Sequence, residues 1–122
     1  MTSGTELFPI LSSLDFDVAT GIELCGNDEE LYCDLIHELY TDVLAGRNAA
    51  LRGSTPAAIR DYAHLLKGTL QVLGERRAAA KSRELEQALR NGQPSEELTR
   101  ALLADLDTIV RVLGGVFDSP SR

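Results

Sequence analysis

The chain has 122 residues, of which 43% are apolar, and its 19 acidic and 12 basic side chains give a formal net charge of −7. This composition indicates one folded domain, and the acidic balance argues against nucleic acid or an anionic membrane as partner, since both attract basic surfaces. Two cysteines cannot form a disulfide framework, and no apolar run has the roughly 20 residues of a transmembrane helix. Residues 1–14 also lack a signal-peptide pattern, so we expect a cytoplasmic protein. We also expect it to be a monomer.

Turn and capping residues predict a short leading helix and a longer helix after it. The leading helix spans about Asp17 to Cys25 and ends at Gly26. Asn27, followed three residues later by Glu30, resembles a capping box and begins the second helix, which ends at Gly53. We expect the leading helix to pack over one end of the helices that follow.

Three more helices are predicted in the rest of the chain. Thr55 is placed to cap the third helix, with Pro56 as its first residue, and Gly74 ends it. Gly92 ends the fourth helix, and Pro94-Ser95 opens the last one.

Apolar residues recur three and four positions apart in these segments, as on one face of a helix, and no segment alternates as a strand does. Short connections favour antiparallel neighbours. We therefore predict an all-α fold, an antiparallel four-helix bundle with a short additional N-terminal helix. Residues 15–115 are assigned to this bundle domain, 1–14 to an N-terminal extension and 116–122 to a frayed C-terminal tail.

The third helix separates into two faces on a wheel at about 100° per residue. Its broad apolar arc holds Ile59, Tyr62, Ala63, Leu65, Leu66, Thr69, Leu70, Val72 and Leu73. The opposite, polar arc is centred on His64 and also holds Arg60, Lys67, Gly68 and Gln71. The imidazole of His64 is therefore expected to be exposed to solvent.

An exposed helical histidine usually has no role, but Gly68 favours one for His64. Glycine inside a helix costs about 0.5–1 kcal/mol relative to alanine, and close packing cannot explain it on a solvent face. The missing side chain lets another molecule approach the imidazole, and Lys67 places a cation where an anion on the ring would lie. Such an imidazole is suited to accept a phosphoryl group. His37 has no cation or glycine beside it, so we assign it no role.

The third helix resembles the signature of histidine-containing phosphotransfer (HPt) domains, which reads Ala-His-x-Leu-Lys-Gly with a second glycine six residues after the first. The matching residues here are Ala63-His64-Leu65-Leu66-Lys67-Gly68 and Gly74. The flanks are also similar, in the order Phe16-Asp17, Gly21-Ile22, Gly26-Asn27-Asp28-Glu29-Glu30-Leu31-Tyr32, then Leu85-Glu86-Gln87-Ala88 and Asn91-Gly92. The resemblance covers roughly residues 15–115.

The resemblance implies a phosphorelay intermediate of two-component signalling, with response-regulator receivers or a hybrid sensor histidine kinase as partners. His64 would accept a phosphoryl group from a receiver aspartate and pass it to another receiver as a phosphohistidine. Lys67 would neutralise the phosphoryl charge, and Gly68 would keep the docking face open. Mg²⁺ would be supplied by the receiver, so no cofactor, no metal site and no kinase activity are expected here.

Two further site residues and two departures accompany this assignment. Gln71 follows from the wheel alone as an additional hydrogen-bond donor, and Arg60 lies one turn before His64. Thr69-Leu70 and Glu75-Arg76-Arg77-Ala78 differ from the family pattern, which has small residues after the Lys-Gly pair and often a small residue and a leucine after the second glycine. Arg76 and Arg77 fit either a contact with an acidic receiver or a solvated helix start.

The sequence offers four alternative interpretations. Cys25, Cys33 and His37 offer metal-ligand types in the spacing C-x7-C-x3-H, but no fourth ligand is near. A helical scaffold could bind receiver or kinase domains without phosphotransfer, although it would have no reason to keep the exposed trio of histidine, lysine and glycine. The related domain of chemotaxis kinases takes its phosphoryl group from an ATP-binding domain of the same protein. Glu84 and Glu86 are not on one helical face, so no acid–base pair is expected from them.

Overall fold

The computed structural model describes residues 4–53 and 55–118, and its first half contains two short helices followed by a long interrupted one. Helix α1 spans Gly4–Ser13 and α2 spans Val18–Leu24. Helix α3, Glu29–Glu38, continues through a π-helical turn at Leu39–Val43 and a 3-10 turn at Leu44–Gly46 into α4, Arg47–Leu51.

The second half contains three long helices, α5 at Pro56–Val72, α6 at Arg77–Arg90 and α7 at Glu96–Phe117. Helix α5 packs along α6, α6 packs against α7, and α4 contacts both α5 and α7. The described residues contain no β-strand and no helix long and apolar enough to cross a bilayer. The predicted all-α fold is confirmed, with residues 29–51 and helices α5 to α7 as the four members of the bundle.

The helix starts agree with the sequence at α5 and differ at α3. The Thr55 side chain accepts a hydrogen bond from the N–H of Ala58 at 3.2 Å, with Pro56 as the first residue of α5, as predicted. At α3 the cap is Asp28, whose carboxylate accepts the N–H of Leu31 at 2.9 Å, while Asn27 adopts a left-handed φ of 61°. The prediction that Asn27 caps α3 is wrong by one residue, because Asn27 makes the turn that precedes the cap.

The N-terminal extension predicted at residues 1–14 is corrected by α1. Leu7 and Leu11 of this helix are fully buried and belong to the same hydrophobic cluster as the bundle core. The ring of Phe8 also lies 6.0 Å from that of Tyr32 on α3. Residues 4–13 are therefore part of the packed body, because leucines four positions apart put one apolar stripe against it.

The C-terminal boundary is also moved by the structure. Helix α7 continues to Phe117, so Val116 and Phe117 are helical and partly buried rather than frayed. The ring of Phe117 contacts those of His37 and Tyr40, at centroid distances of 4.8 and 5.4 Å. Residues 119–122 of the predicted tail lie outside the described part of the chain.

The turn between α5 and α6 is anchored to the residues before α2. Gly74 has a φ of +88°, and a Cβ at this position would overlap the carbonyl oxygen of Asp17. The N–H of Asp17 donates to the carbonyl of Gly74 at 2.8 Å, and the buried hydroxyl of Tyr32 donates to the carbonyl of Leu73 at 2.7 Å. These bonds fix the end of α5 and, through it, the face of the helix that carries His64.

Candidate functional site

His64 lies in the middle of α5 with 63% of its side chain exposed, as the helical wheel predicts. Gly68 and Gln71 are exposed on the same helix. A Cβ at Gly68 would meet no atom within 4 Å, so no packing contact requires a glycine at this position.

The exposed imidazole is held from below by Glu86 of α6. The Nδ1 atom of His64 lies 2.8 Å from Oε2 of Glu86. Lys67 Nζ donates to Oε1 of the same carboxylate at 2.9 Å, and Arg90 Nη2 donates to Oε2 at 2.9 Å. We call these four residues, His64, Lys67, Glu86 and Arg90, the His64 cluster.

The carboxylate of Glu86 is ionised although only 4% of the residue is exposed. The hydrogen bond from Lys67 is the main cause that lowers its pKa, with a further contribution from His64, and together they outweigh the opposing effect of burial. An ionised carboxylate only accepts hydrogen bonds, so Nδ1 of His64 carries the ring proton. In the neutral ring, Nε2 therefore keeps its lone pair.

Sequence reasoning missed two members of this cluster. From the sequence alone, Glu86 is excluded from an acid–base pair with Glu84, and no role at the site is assigned to Glu86 or Arg90. Their four-residue spacing places them on one face of α6, which was the available signal. The spacing does not indicate whether that face of α6 lies next to α5.

Lys67 differs from its prediction as an exposed cation. Its side chain is only 28% exposed, and its ammonium group bonds Glu86 rather than standing in solvent. The reason is that α6 packs directly along α5, so a side chain at the border of the polar arc is drawn over the buried carboxylate.

An apolar groove lies on one side of His64, between α3 and α5. It has a volume of about 620 Å³, and its lining includes Leu35, Leu39, Leu65, Gly68 and Val72. The wheel placed Leu65 and Val72 on the core arc, but the structure leaves them 50% and 46% exposed. The apolar arc of α5 is wider than its neighbours cover, and the surplus forms this groove.

A polar cleft of about 590 Å³ lies on the other side of His64, between α5 and α6. It is lined by Arg60, Asp61, His64, Glu86 and Arg90. The Arg60 guanidinium lies 3.8 Å from the Asp61 carboxylate, and both side chains are largely exposed. Gln71 lines neither the cleft nor the groove. The structure thus brings Arg60 towards the cluster and leaves Gln71 apart from it.

Arg76 and Arg77 form ion pairs within the domain, at the turn after α5. Arg76 Nη2 donates to the Asp17 carboxylate at 2.8 Å. Arg77 lies 3.5 Å from the carboxylate of Asp105 and 3.7 Å from that of Asp15. These pairs belong to neither of the two interpretations left open by the sequence, although both arginine side chains stay largely exposed, as a solvated helix start implies.

The possible metal ligands do not form a cluster. No group of three or more histidine, cysteine or acidic side chains suited to a metal occurs within residues 4–53 and 55–118. His37 instead packs its ring edge-on against Phe117.

Comparison with known proteins gives one match. A family model described as Hpt domain matches residues 30–114, which is more than half of the chain and includes the whole His64 cluster. No curated protein and no solved structure matches the chain.

Proposed function

The chain belongs to the HPt domain family, and on that premise we propose that it is a cytoplasmic, monomeric phosphorelay intermediate whose phosphoacceptor is His64. Domains of this family are phosphocarriers rather than kinases, and they interact with receiver and kinase domains of two-component systems. One observation carries the choice of His64: its Nδ1 atom is bonded to Glu86 while 63% of the side chain is exposed.

The transfer itself needs only the nucleophile and a charge partner. The Nε2 lone pair attacks the phosphorus of a receiver aspartyl phosphate, the new N–P bond forms, and the bond from phosphorus to the aspartate oxygen breaks. The aspartate leaves as a carboxylate, and the ring keeps its Nδ1 proton and becomes a phosphorylated imidazolium. Glu86 stabilises this positive charge, because its carboxylate accepts the Nδ1–H bond. Attack by a second receiver aspartate reverses these steps.

The cations around His64 support the phosphoryl group. Lys67 and Arg90 lie next to the imidazole through their bonds to Glu86, and Arg60 lines the adjoining cleft. Once the ring carries a positive charge, Glu86 has a stronger partner, and the ammonium of Lys67 is available to the phosphoryl oxygens. Following the family resemblance, we assign the Mg²⁺ of the transfer to the receiver, and no cofactor to this chain.

The apolar groove is proposed as the docking surface for the receiver. Leu65 and Val72 expose large apolar surfaces beside His64, and burying them provides a driving force for association. Gly68 lies between these side chains and the imidazole on α5, and the space above it is open. A side chain there would separate the receiver from Nε2.

Incubation with a phosphorylated cognate receiver tests the proposal. We expect an acid-labile, base-stable label on the protein that is lost in His64→Gln and kept in His37→Gln. Label that persists in His64→Gln contradicts the assignment of the phosphoacceptor. The alternative, a scaffold for receiver or kinase domains without phosphotransfer, uses the apolar groove alone and predicts receiver binding with no label on the wild-type protein.

A further inference from the structure

Glu38 is an acidic side chain in the mostly apolar lining of the groove, whose other polar members are His64 and Thr69. It is exposed at the end of α3 and lines the groove together with Leu35, Leu39, Leu65 and Val72. It is the one acidic residue in that lining.

Glu38 has no cation of its own domain within ion-pair distance, as far as the described residues show. Two other carboxylates at helix contacts are paired with cations. Glu86 is bonded by Lys67 and Arg90, and Asp105 is bonded by Lys81 at 2.7 Å. Within residues 4–53 and 55–118, the groove therefore holds a carboxylate without an ion-pair partner.

A partner that covers the groove removes water from this carboxylate. Burying an unpaired charge in an apolar setting is unfavourable, and a hydrogen-bonded opposite charge offsets that cost. A partner without a cation opposite Glu38 is therefore rejected more strongly than a partner with that cation is attracted.

We infer that Glu38 is a specificity residue, which selects receivers that present a lysine or arginine to the α3 side of the groove. This inference rests on the proposed function, because it takes the receiver as the occupant of the groove. Charge complementarity is the argument for that occupant's chemistry: its apolar docking face must contain one basic side chain opposite Glu38.

The same feature gives the docking face a direction. Glu38 lies on the groove side of His64, whereas Arg60 and Arg90 line the cleft on the other side. A receiver that places its basic residue over Glu38 then has its phosphorylated aspartate beside the cations of the cleft. A reversed receiver would cover Glu38 without supplying the cation that offsets its burial, which disfavours that orientation.

The experiment compares charge variants in transfer from a panel of purified, phosphorylated receiver domains encoded by the same genome. The variants are Glu38→Gln, Glu38→Lys and, as the matched control, Asp34→Lys, which makes the same charge change one turn earlier on α3 outside the groove. We expect Glu38→Lys to slow transfer from the preferred receiver by about ten-fold or more, Glu38→Gln by a smaller factor, and Asp34→Lys by less than about two-fold. A receiver whose docking-face lysine or arginine is changed to glutamate should restore transfer to Glu38→Lys.

Labelling by phosphoramidate, a small phosphodonor that needs no docking, separates docking from chemistry. The Glu38 variants should be labelled on His64 at the wild-type rate. The inference is overturned if Glu38→Lys accepts phosphoryl groups from every receiver as fast as the wild-type protein, or if phosphoramidate labelling falls in parallel. If none of the phosphorylated receivers labels the wild-type protein, the proposed function itself is contradicted.

Discussion

A glycine and a buried glutamate occur together at two places, the turn between α5 and α6 and the His64 cluster, for different physical reasons. At the turn between the helices, Gly74 has a φ that side chains rarely adopt, and the backbone of Asp17 leaves no room for a Cβ. At the His64 cluster, Gly68 lies inside a regular helix with open space above it. The fold requires Gly74, whereas helix stability opposes Gly68.

The two glutamates differ in the same way. Glu75 is 2% exposed, and its carboxylate accepts the N–H of Ala78 at 2.7 Å, so it caps the start of α6. Burial raises its pKa, because the backbone hydrogen bonds do not fully offset the lost solvation. Glu86 is similarly buried, yet the hydrogen bond from Lys67 leads the effects that lower its pKa.

The contrast shows which of these residues need a functional explanation. Gly74 and Glu75 are accounted for by the turn and the helix start that they form. Gly68 weakens its helix, and Glu86 concentrates its contacts on one exposed imidazole and two cations. The proposed phosphotransfer at His64 accounts for both, whereas the bonds from Lys67 and Arg90 give Glu86 a structural role as well.

The largest expected effect separates the two glycines. Gly74→Ala should lower the free energy of unfolding by about 2–4 kcal/mol, because the new Cβ overlaps the Asp17 backbone and forces a left-handed alanine. Gly68→Ala should raise it by about 0.5–1 kcal/mol. Urea unfolding followed by circular dichroism measures both, and equal unfolding midpoints for the two variants would remove the distinction.

A smaller effect separates the two glutamates at neutral pH. Glu86→Gln should lower the free energy of unfolding by about 1–2 kcal/mol, since the bonds from Lys67 and Arg90 lose their ionised acceptor. Glu75→Gln should leave it unchanged or slightly higher, because an amide oxygen can still accept the Ala78 N–H. Transfer from a phosphorylated receiver should slow about ten-fold in Glu86→Gln alone. Equal transfer rates in both variants would contradict the role given to Glu86.

The stability changes of Glu86→Gln and Glu75→Gln should have opposite signs at neutral pH, and both should depend on pH. The lowered pKa of Glu86 gives stability that is present above its ordinary value of 4.5 and lost as pH falls through the folded-state pKa. The raised pKa of Glu75 makes its ionised form unfavourable, so the stability of its protonated form is lost as pH rises. The penalty of Glu86→Gln and any gain from Glu75→Gln should therefore both shrink towards about pH 3, which unfolding series at about pH 7 and about pH 3 would measure. If the loss of stability in Glu86→Gln instead grows as the pH falls, the lowered pKa of Glu86 is contradicted.

The smallest effect concerns an exposed arginine at each place. Arg60→Ala and Arg76→Ala should each change the free energy of unfolding by less than about 1 kcal/mol, because exposed ion pairs contribute little. Only Arg60→Ala should slow transfer, by about two- to three-fold, since Arg60 lines the cleft beside His64. Single-turnover transfer measurements at low salt would detect this, and an equal slowing by Arg76→Ala would place both arginines on the docking surface.

Much of the fold could be predicted because its signals are local. Apolar spacing, the Thr55 cap and the glycines at 74 and 92 lie within single segments, and each predicted boundary follows from the residues beside it. The weak points were also local. Asn27 and Asp28 are adjacent cap formers, and only backbone conformation decides between them. Helix α1 was assigned to an extension because its two buried leucines become informative only when the body they contact is known.

The candidate site was predictable on one helix and not between two. The wheel places His64, Lys67 and Gly68 on one face of α5, but it contains no information about what α6 presents to them. Glu86 and Arg90 come from residues about 20 positions later in the chain, and their contact with His64 depends on how α6 packs along α5. The exposure of Leu65 and Val72 depends in the same way on how much of α5 its neighbours cover.

The sequence by itself therefore determined a small helical domain, an exposed histidine with a glycine and a lysine on the same face, and a close resemblance to one family. The tertiary structure decided that Nδ1 of His64 is hydrogen-bonded to Glu86, which leaves Nε2 as the free ring nitrogen. It also decided where the apolar groove with its single acidic residue, Glu38, lies. The reason is that periodicity fixes the direction of side chains around one helix axis, whereas hydrogen bonds and burial between helices depend on their packing.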